Sequence, residues 1–263
     1  MFEFLFQQKP NINEQNIYCF SPDDTGDYFD EEDVASWRSG RLGQNWHNTT
    51  FLKNPVSRHL IEELIKNHSH VIDLACGPGM GLIPSIKQLV PDFPCLATDA
   101  NPLVLQEWAH YMKSNSITCP PKLAQFSALQ LPFHSGSVEA FSSFIGISST
   151  HHNNVGYNRA LSEVHRTLKY DGCFYTIESE WTNVPTILEL FKKMGQEPWH
   201  CFQEEQVSWH DRFVNDGFEI LYEEPYLFRK LREDDNELGK AASRFGVDIG
   251  LQFTAFIVRK NKD

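Results

Sequence analysis

The run Val71-Ile72-Asp73-Leu74-Ala75-Cys76-Gly77-Pro78-Gly79-Met80-Gly81 holds the clearest chemistry in the chain. Its unbroken apolar start reads as a buried parallel strand. Glycines then alternate at 77, 79 and 81, where a backbone can take conformations closed to other residues and a ligand can approach the main chain closely. Leu82, Ile83, Ile86, Leu89 and Val90 follow at helical spacing. Strand, glycine turn and helix predict a nucleotide-type pocket with free N–H groups at the turn. The alternative, a tight turn without a ligand, needs fewer glycines. A second acid, Asp99, stands 20 residues beyond Gly79, at the end of the apolar stretch Cys95-Leu96-Ala97-Thr98. An acid so placed accepts hydrogen bonds from ribose hydroxyls in nucleotide-binding α/β folds. It also suits the start of a helix at Asn101-Pro102.

The spacing separates two cofactor classes. A dinucleotide fingerprint, Gly-x-Gly-x-x-Gly, begun at Gly77 would need glycine where Leu82 stands. What stands is Asp-x-Ala-x-Gly-x-Gly-x-Gly. Here the chain resembles the class I S-adenosylmethionine-dependent methyltransferases, with Ala75 in place of the family's first glycine. A second stretch, Ala128, Leu131-Pro132-Phe133 and Ser137, is similar to the Gly-Asp-Ala-x-x-Leu-Pro-Phe pattern of many small-molecule members. Phe126 and Ser127 replace its Gly-Asp pair, whose acid accepts from the adenine amino group. A third, Leu161 to Gly172, is similar to a structural stretch of the family that leads into its fifth strand.

The resemblance spans roughly residues 55 to 180. It implies S-adenosylmethionine as cofactor and S-adenosylhomocysteine as its product. It places Asp73, Ala75, Gly77 and Gly79 on the methionine and ribose side, and Asp99 with Ala100 at the ribose. Ser127 and Ala128 fall at the adenine, and Phe144 near the methionine end. The cofactor carries an activated methyl group, so the protein must bind it, align a nucleophile and exclude water. A base is needed only where the acceptor is protonated. His151 and His152, just after the fourth strand, are the candidates, since histidine takes a proton near neutral pH. The plainer reading makes them loop residues. His47, Trp181, Trp199 and His200 are candidates to line an apolar acceptor pocket, or else belong to core or surface. The Asp/Asn-Pro-Pro-aromatic motif of nucleic-acid amino-methyltransferases is absent from Phe144-Ile145-Gly146-Ile147-Ser148-Ser149.

The elements that must hold these residues follow in order. Residues 1–54 read as an N-terminal arm and cap. Trp37, Trp46 and His47 lie in it between glycines, as a mobile lid or a packed cap, and the acidic run Asp27 to Asp33 reads as a solvated helix start. Residues 55–263 read as the cofactor-binding domain. The expected fold is α/β and Rossmann-like: a seven-stranded, mostly parallel sheet, helices on both faces and an antiparallel last strand. A helix starts at Pro55, the third strand is Leu123-Ala124-Gln125-Phe126, and the fifth is Cys173 to Glu178. Residues 179–203 form an acceptor-pocket segment, 204–216 a helix, and Phe218 to Phe228 with Leu251 to Arg259 the last two strands.

Composition bounds the partners. The 263 residues, 41% hydrophobic, suffice for one large domain with a full core. With 23 basic and 35 acidic residues the formal charge is −12, which repels polyanions and disfavours nucleic acid. Six scattered cysteines without a Cys-x-x-Cys pair read as reduced cytosolic thiols, and no metal site is expected. No signal peptide or membrane-spanning run is expected, so the partner is a small-molecule acceptor rather than nucleic acid or membrane. The oligomeric state is left open. Two rival functions stand beside methyl transfer: a methyltransferase-like binding or regulatory protein without catalysis, and a nicotinamide-dependent oxidoreductase.

Overall fold

The computed structural model describes residues 2–20, 31–149, 154–203 and 206–261. Two very short strands come first, β1 (Asn11–Ile12) and β2 (Tyr18–Cys19), then short helices α1 (Glu31–Ser36), α2 (Leu42–Trp46) and α3 (Thr50–Lys53). The regular α/β alternation runs α4 (Pro55–Asn67), β3 (Val71–Asp73), α5 (Ile83–Leu89), β4 (Cys95–Asp99), α6 (Pro102–Ser114), β5 (Lys122–Gln125), β6 (Val138–Phe144), α7 (Asn154–Thr167) and β7 (Leu168–Thr182). The chain continues with α8 (Val184–Met194), α9 (His200–Gln203), α10 (Trp209–Asn215), β8 (Phe218–Lys230), α11 (Glu237–Phe245) and β9 (Gly250–Lys260).

The local signals explain the helix starts. Asn54 accepts from the N–H groups of Val56 and Ser57 ahead of Pro55, and Asn101 accepts from Leu103 ahead of Pro102. Each pairs a capping amide with a proline whose missing N–H costs nothing in the first turn. Every residue of β3 and β4 is buried, as a central parallel strand requires. Residues 206–216 form a shorter helix than expected: α10 begins at Trp209, because Ser208 accepts from Asp211 and ends the preceding extended backbone.

The strand order is β1-β2-β5-β4-β3-β6-β7-β9-β8. The seven expected strands are there, parallel except β9, which runs antiparallel between β7 and β8. The sheet has nine strands rather than seven, because β2 pairs in parallel with β5 and β1 adds to β2. The N-terminal segment is thus part of the sheet, not an arm lying on its surface. Its phenylalanines show no period in sequence, but Phe2, Phe6 and Phe20 are all buried, and Phe6 stacks on Phe133 with centroids 5.3 Å apart. β7 also outruns its expected span. It pairs with β9 along its whole second half, from Cys173 opposite Arg259 to Thr182 opposite Gly250.

Helices cover both faces. One core joins Leu60, Ile61 and Leu64 of α4 with Ile83 and Ile86 of α5 and Val104, Leu105 and Trp108 of α6. The other joins Ala160, Leu161 and Val164 of α7 with Trp209 and Phe213 of α10 and the N-terminal phenylalanines. A third, small core unites α8, α9 and α11 around Phe191, Phe202 and Leu238. No helix among the described residues is long and apolar enough to cross a membrane.

Candidate active site

The glycine turn leaves the carboxyl end of β3, which pairs with β4 on one side and β6 on the other. Strand order reverses here, and in open parallel sheets the crevice at such a point is where ligands bind. Three parts of the turn are set differently. Gly81, at φ 54°, is closed in: a β-carbon there would overlap the Asp73 carboxylate. Gly77, at φ 55°, and Gly79 face open space, with nothing within 4 Å of an added β-carbon. Ala75 holds φ 49° despite its methyl group, a conformation that costs an L-residue about 1–2 kcal/mol.

Two buried acids brace the turn from within. Asp73 is fully buried; its Oδ2 accepts from Ser142 Oγ at 2.6 Å and from the Leu82 N–H at 3.3 Å, while Oδ1 has no partner. Burial pushes Asp73 up to about 7, against the pull of those two donors. Asp99 accepts from the Gly77 N–H through Oδ2 and from the Asn101 N–H through Oδ1, both at 2.9 Å. Burial pushes it up to about 6. The Ala100 N–H also lowers it, so three backbone donors face a carboxylate with about four acceptor sites. Asp99 thus joins the turn to the start of α6, whose cap is Asn101. Cys76 lies between the two acids, and its thiol is raised well above its ordinary value, chiefly by burial, so it stays protonated.

The turn is also tied from outside. Trp108 Nε1 donates to the Gly77 carbonyl at 3.2 Å, and Asn45 Nδ2 to the Pro78 carbonyl at 2.7 Å. Trp46 packs on Trp108 at 6.1 Å, Trp37 is buried, and Arg38 grips Glu107 through two N–H groups. Residues 31–54 are therefore a packed cap on the turn. His47, at the end of α2, is exposed.

The remaining expected positions lie at or just beyond the ends of β4, β5 and β6. Ala100 and Ser127 are half-buried and Ala128 is buried. Ser127 Oγ accepts from the Leu129 N–H at 3.2 Å, turning the loop after β5. Gln125 Nε2 donates to the Ala100 carbonyl at 3.4 Å and so links the ends of β4 and β5. Helix α7 fixes the loop: Glu163 accepts from Leu131 N–H at 2.8 Å, and Arg166 donates to the carbonyls of Leu131 and Phe133 at 2.9 and 3.0 Å. Phe144, half-buried at the end of β6, meets the edge or face of Phe51 at 4.7 Å. Beyond it, buried Glu178 accepts from Thr176 Oγ1 and the Ser148 N–H, holding the turn that follows β6. Burial raises its carboxyl.

Asn45, Trp108, Gln125, Ser142 and Glu178 were not among the expected site residues. Each acts through a contact between elements, for which no local spacing gives a signal. Glu163 and Arg166 did stand in a recognised stretch. His151 and His152 lie outside the described residues. Trp181 and Trp199 pack on one another at 6.3 Å and on Phe202 at the rim of the third core, with Trp199 still 39% exposed, and His200 is exposed. All six cysteines are free thiols, and no group among the described residues has the ligands to hold a metal ion.

Comparison with known proteins agrees with this arrangement. Residues 71–172 match the family described as a methyltransferase domain. A protein from Bacillus halodurans, described as a methyltransferase, superposes with a TM-score of 0.55 at 15% identity, covering 82% of this chain and 100% of its own. An S-adenosylmethionine-dependent methyltransferase from Methanosarcina mazei gives 0.52 at 16% identity over 78% and 98%. Geranyl diphosphate methyltransferase in complex with S-adenosylmethionine gives 0.51 at 12% identity over 90% and 93%. At these identities the likeness is one of fold. No curated protein matches the sequence significantly.

Proposed function

We propose that this chain, a member of the class I S-adenosylmethionine-dependent methyltransferases, transfers the cofactor's methyl group to an oxygen, nitrogen or carbon of a small-molecule acceptor. One observation carries the reading: at the point where strand order reverses, Gly77 and Gly79 leave open space against the main chain, while Gly81 is closed by packing. Gly77 and Gly81 both take a positive φ that the turn itself asks of glycine; Gly79 does not, so the open space beside it is no demand of the fold. The open pair fits a ligand lying on the backbone, and Ala75, Ala100, Ser127 and Phe144, all half-buried, keep surface that such a ligand can cover.

When bound, the cofactor supplies a methyl group already activated on a sulfonium. The chain's own residues bind and orient. Gly77, Gly79 and Ala75 receive the methionine and ribose side, and Asp73 acts from beneath by fixing the turn. Asp99, with Ala100 beside it, accepts from the ribose hydroxyls with its spare acceptor capacity. Ser127 and Ala128 meet the adenine, the loop being held by Glu163 and Arg166. Phe144 flanks the methionine end. A base, where the acceptor needs one, falls to His151 or His152.

The small-molecule assignment rests on the charge of −12 and on the missing nucleic-acid motif. It is in keeping with a neighbour in the fold whose named substrate is geranyl diphosphate. The free thiols fit a reducing, cytoplasmic setting.

Calorimetric titration tests the reading. S-adenosylmethionine and S-adenosylhomocysteine should bind, and reduced nicotinamide dinucleotide should not. Gly79→Leu should abolish that binding and leave the unfolding midpoint unchanged, because Gly79 has no positive φ to strain and its β-carbon meets nothing within 4 Å. Normal binding by the variant, or binding of the nicotinamide alone, would overturn the proposal. Cofactor binding without transfer to any acceptor would favour a regulatory role.

A further inference from the structure

Three aromatic side chains from distant parts of the chain meet above the carboxyl ends of the strands. Phe51 of α3 meets Phe144 of β6 in a T-shaped contact at 4.7 Å and stacks on Tyr226 of β8 at 6.1 Å, with 27° between the planes. The registers fix their level. Asp73 pairs with Ser142, so Phe144, two residues on, stands level with Ala75 at the start of the glycine turn. Phe144 pairs with Ile177, Ile177 with Ala255, and Ala255 with Glu224. Tyr226 therefore lies farther toward the carboxyl ends than Phe144, on the far side of β7 and β9. Phe51 bridges the two from the N-terminal cap. Ile145 and Leu251 are half-buried beside the same core.

The polar groups at this corner are already spent. Asn54 Nδ2 donates to the Tyr226 carbonyl at 3.4 Å, and its Oδ1 caps α4 through Val56 and Ser57. Ser57, fully buried, donates to the Phe51 carbonyl at 2.7 Å. What remains for a ligand is ring surface. The phenylalanines of the two main cores, such as Phe133, Phe141, Phe174 and Phe213, are wholly buried; Phe51, Phe144 and Tyr226 are not. Half-buried rings beside a cofactor crevice keep some surface that gains from being covered.

We propose that Phe51, Phe144 and Tyr226 form the wall on which the methyl acceptor packs, and that the acceptor is a flat, largely apolar molecule rather than a sugar, amino acid or polyol. This rests on the methyltransferase reading. It also sets the acceptor site apart from Trp181 and Trp199, which pack on Phe202 beside the third core, at a junction of cap, central strand and edge hairpin. The wall supplies stacking area and few hydrogen bonds, so it selects shape and planarity.

The test uses the full chain saturated with S-adenosylhomocysteine and a matched pair of probes, 2-naphthol and its saturated, non-planar counterpart decahydro-2-naphthol, followed by saturation-transfer NMR. The planar probe should bind at least about fivefold more tightly than the saturated one. Phe51→Ala and Tyr226→Leu should each weaken the planar probe by about fivefold and leave S-adenosylhomocysteine affinity within about twofold. Phe51→Leu, which keeps apolar bulk but loses the ring face, serves where the alanine variant does not fold. Phe144 is left intact because it flanks the cofactor. Equal binding of the two probes, or planar-probe binding indifferent to Phe51 and Tyr226, would overturn this inference alone. Failure of S-adenosylhomocysteine to bind the unaltered chain would overturn the methyltransferase reading and the inference with it.

Discussion

Ala75 and Gly81 both sit in the left-handed region, yet only one of them is glycine. The difference is what a methyl group would meet: at Gly81 the buried Asp73 carboxylate, at Ala75 no such obstacle. The alternating glycines were legible in sequence because each acts within a span of a few residues. Which glycine faces a ligand and which faces the core was not, since that depends on where Asp73 points. Asp99 shows the same limit. Its two expected roles, ribose acceptor and helix-start residue, are not exclusive: it reaches the Gly77 and Asn101 N–H groups at once. Its titration has a consequence for stability. Burial pushes Asp99 up to about 6, against about 3.9 in an unfolded chain. The folded state therefore prefers it protonated; this contribution is intact below about pH 4 and is lost as pH rises through about 6. Asp73, at about 7, has the same sign. His68 and His70 run the other way: burial lowers both, so their contribution is present above about pH 6.5 and lost as pH falls below it. Asp99→Asn separates the two slopes. Urea unfolding from pH 4 to 7 should show the variant gaining relative stability with pH, by on the order of 2 kcal/mol across the range. A constant difference between the two proteins would refute this account of Asp99.

Between elements, the polar stripe of α7 shows what the third recognised stretch is for. Glu163 and Arg166 lie one turn apart and bind each other, with Arg166 Nε to Glu163 Oε1 at 2.7 Å. Together they take up the backbone of the loop from Leu131 to Phe133. The loop carries no regular ladder of its own, so these bonds stand in for one. Arg166→Met should leave the Leu131 carbonyl and Glu163 without their Arg166 donors, the Phe133 carbonyl keeping Gln7, and cost about 2 kcal/mol in chemical unfolding. Because Ser127 and Ala128 lie on the same loop, S-adenosylhomocysteine affinity should fall as well; unchanged affinity with lowered stability would confine the clamp to the fold. The α/β alternation from α4 to β7 was readable from apolar runs and capping residues. The short strands β1 and β2 were not, since two-residue strands carry no period. Nor was the meeting of Asn54 with Tyr226, separated by 172 positions.

Across the whole molecule, the chain's start and its later strands close the sheet at opposite edges. The N-terminal segment does so with buried Phe2, Leu5 and Phe6, and through a hydrogen bond from His134 N–H to the Leu5 carbonyl at 2.9 Å. Removing residues 1–8 should cost more than about 3 kcal/mol, from several buried apolar side chains at roughly 1.5–3 kcal/mol each. Circular dichroism melts of the shortened protein read this directly; an unchanged midpoint would mean that the segment contributes no net stability. The interior place of β9 bears on how the protein is made. Synthesis delivers β7, then β8, and only afterwards the strand that joins them. Until β9 arrives, β8 has no hydrogen-bonding neighbour and the inner edge of β7 stands open. On the ribosome the nascent chain therefore carries an unpaired β8 and an open edge on β7 at once, as β2 stood unpaired earlier until β5 was made. A chain stalled before Gly250 is the form that chaperones must shield from pairing with its neighbours.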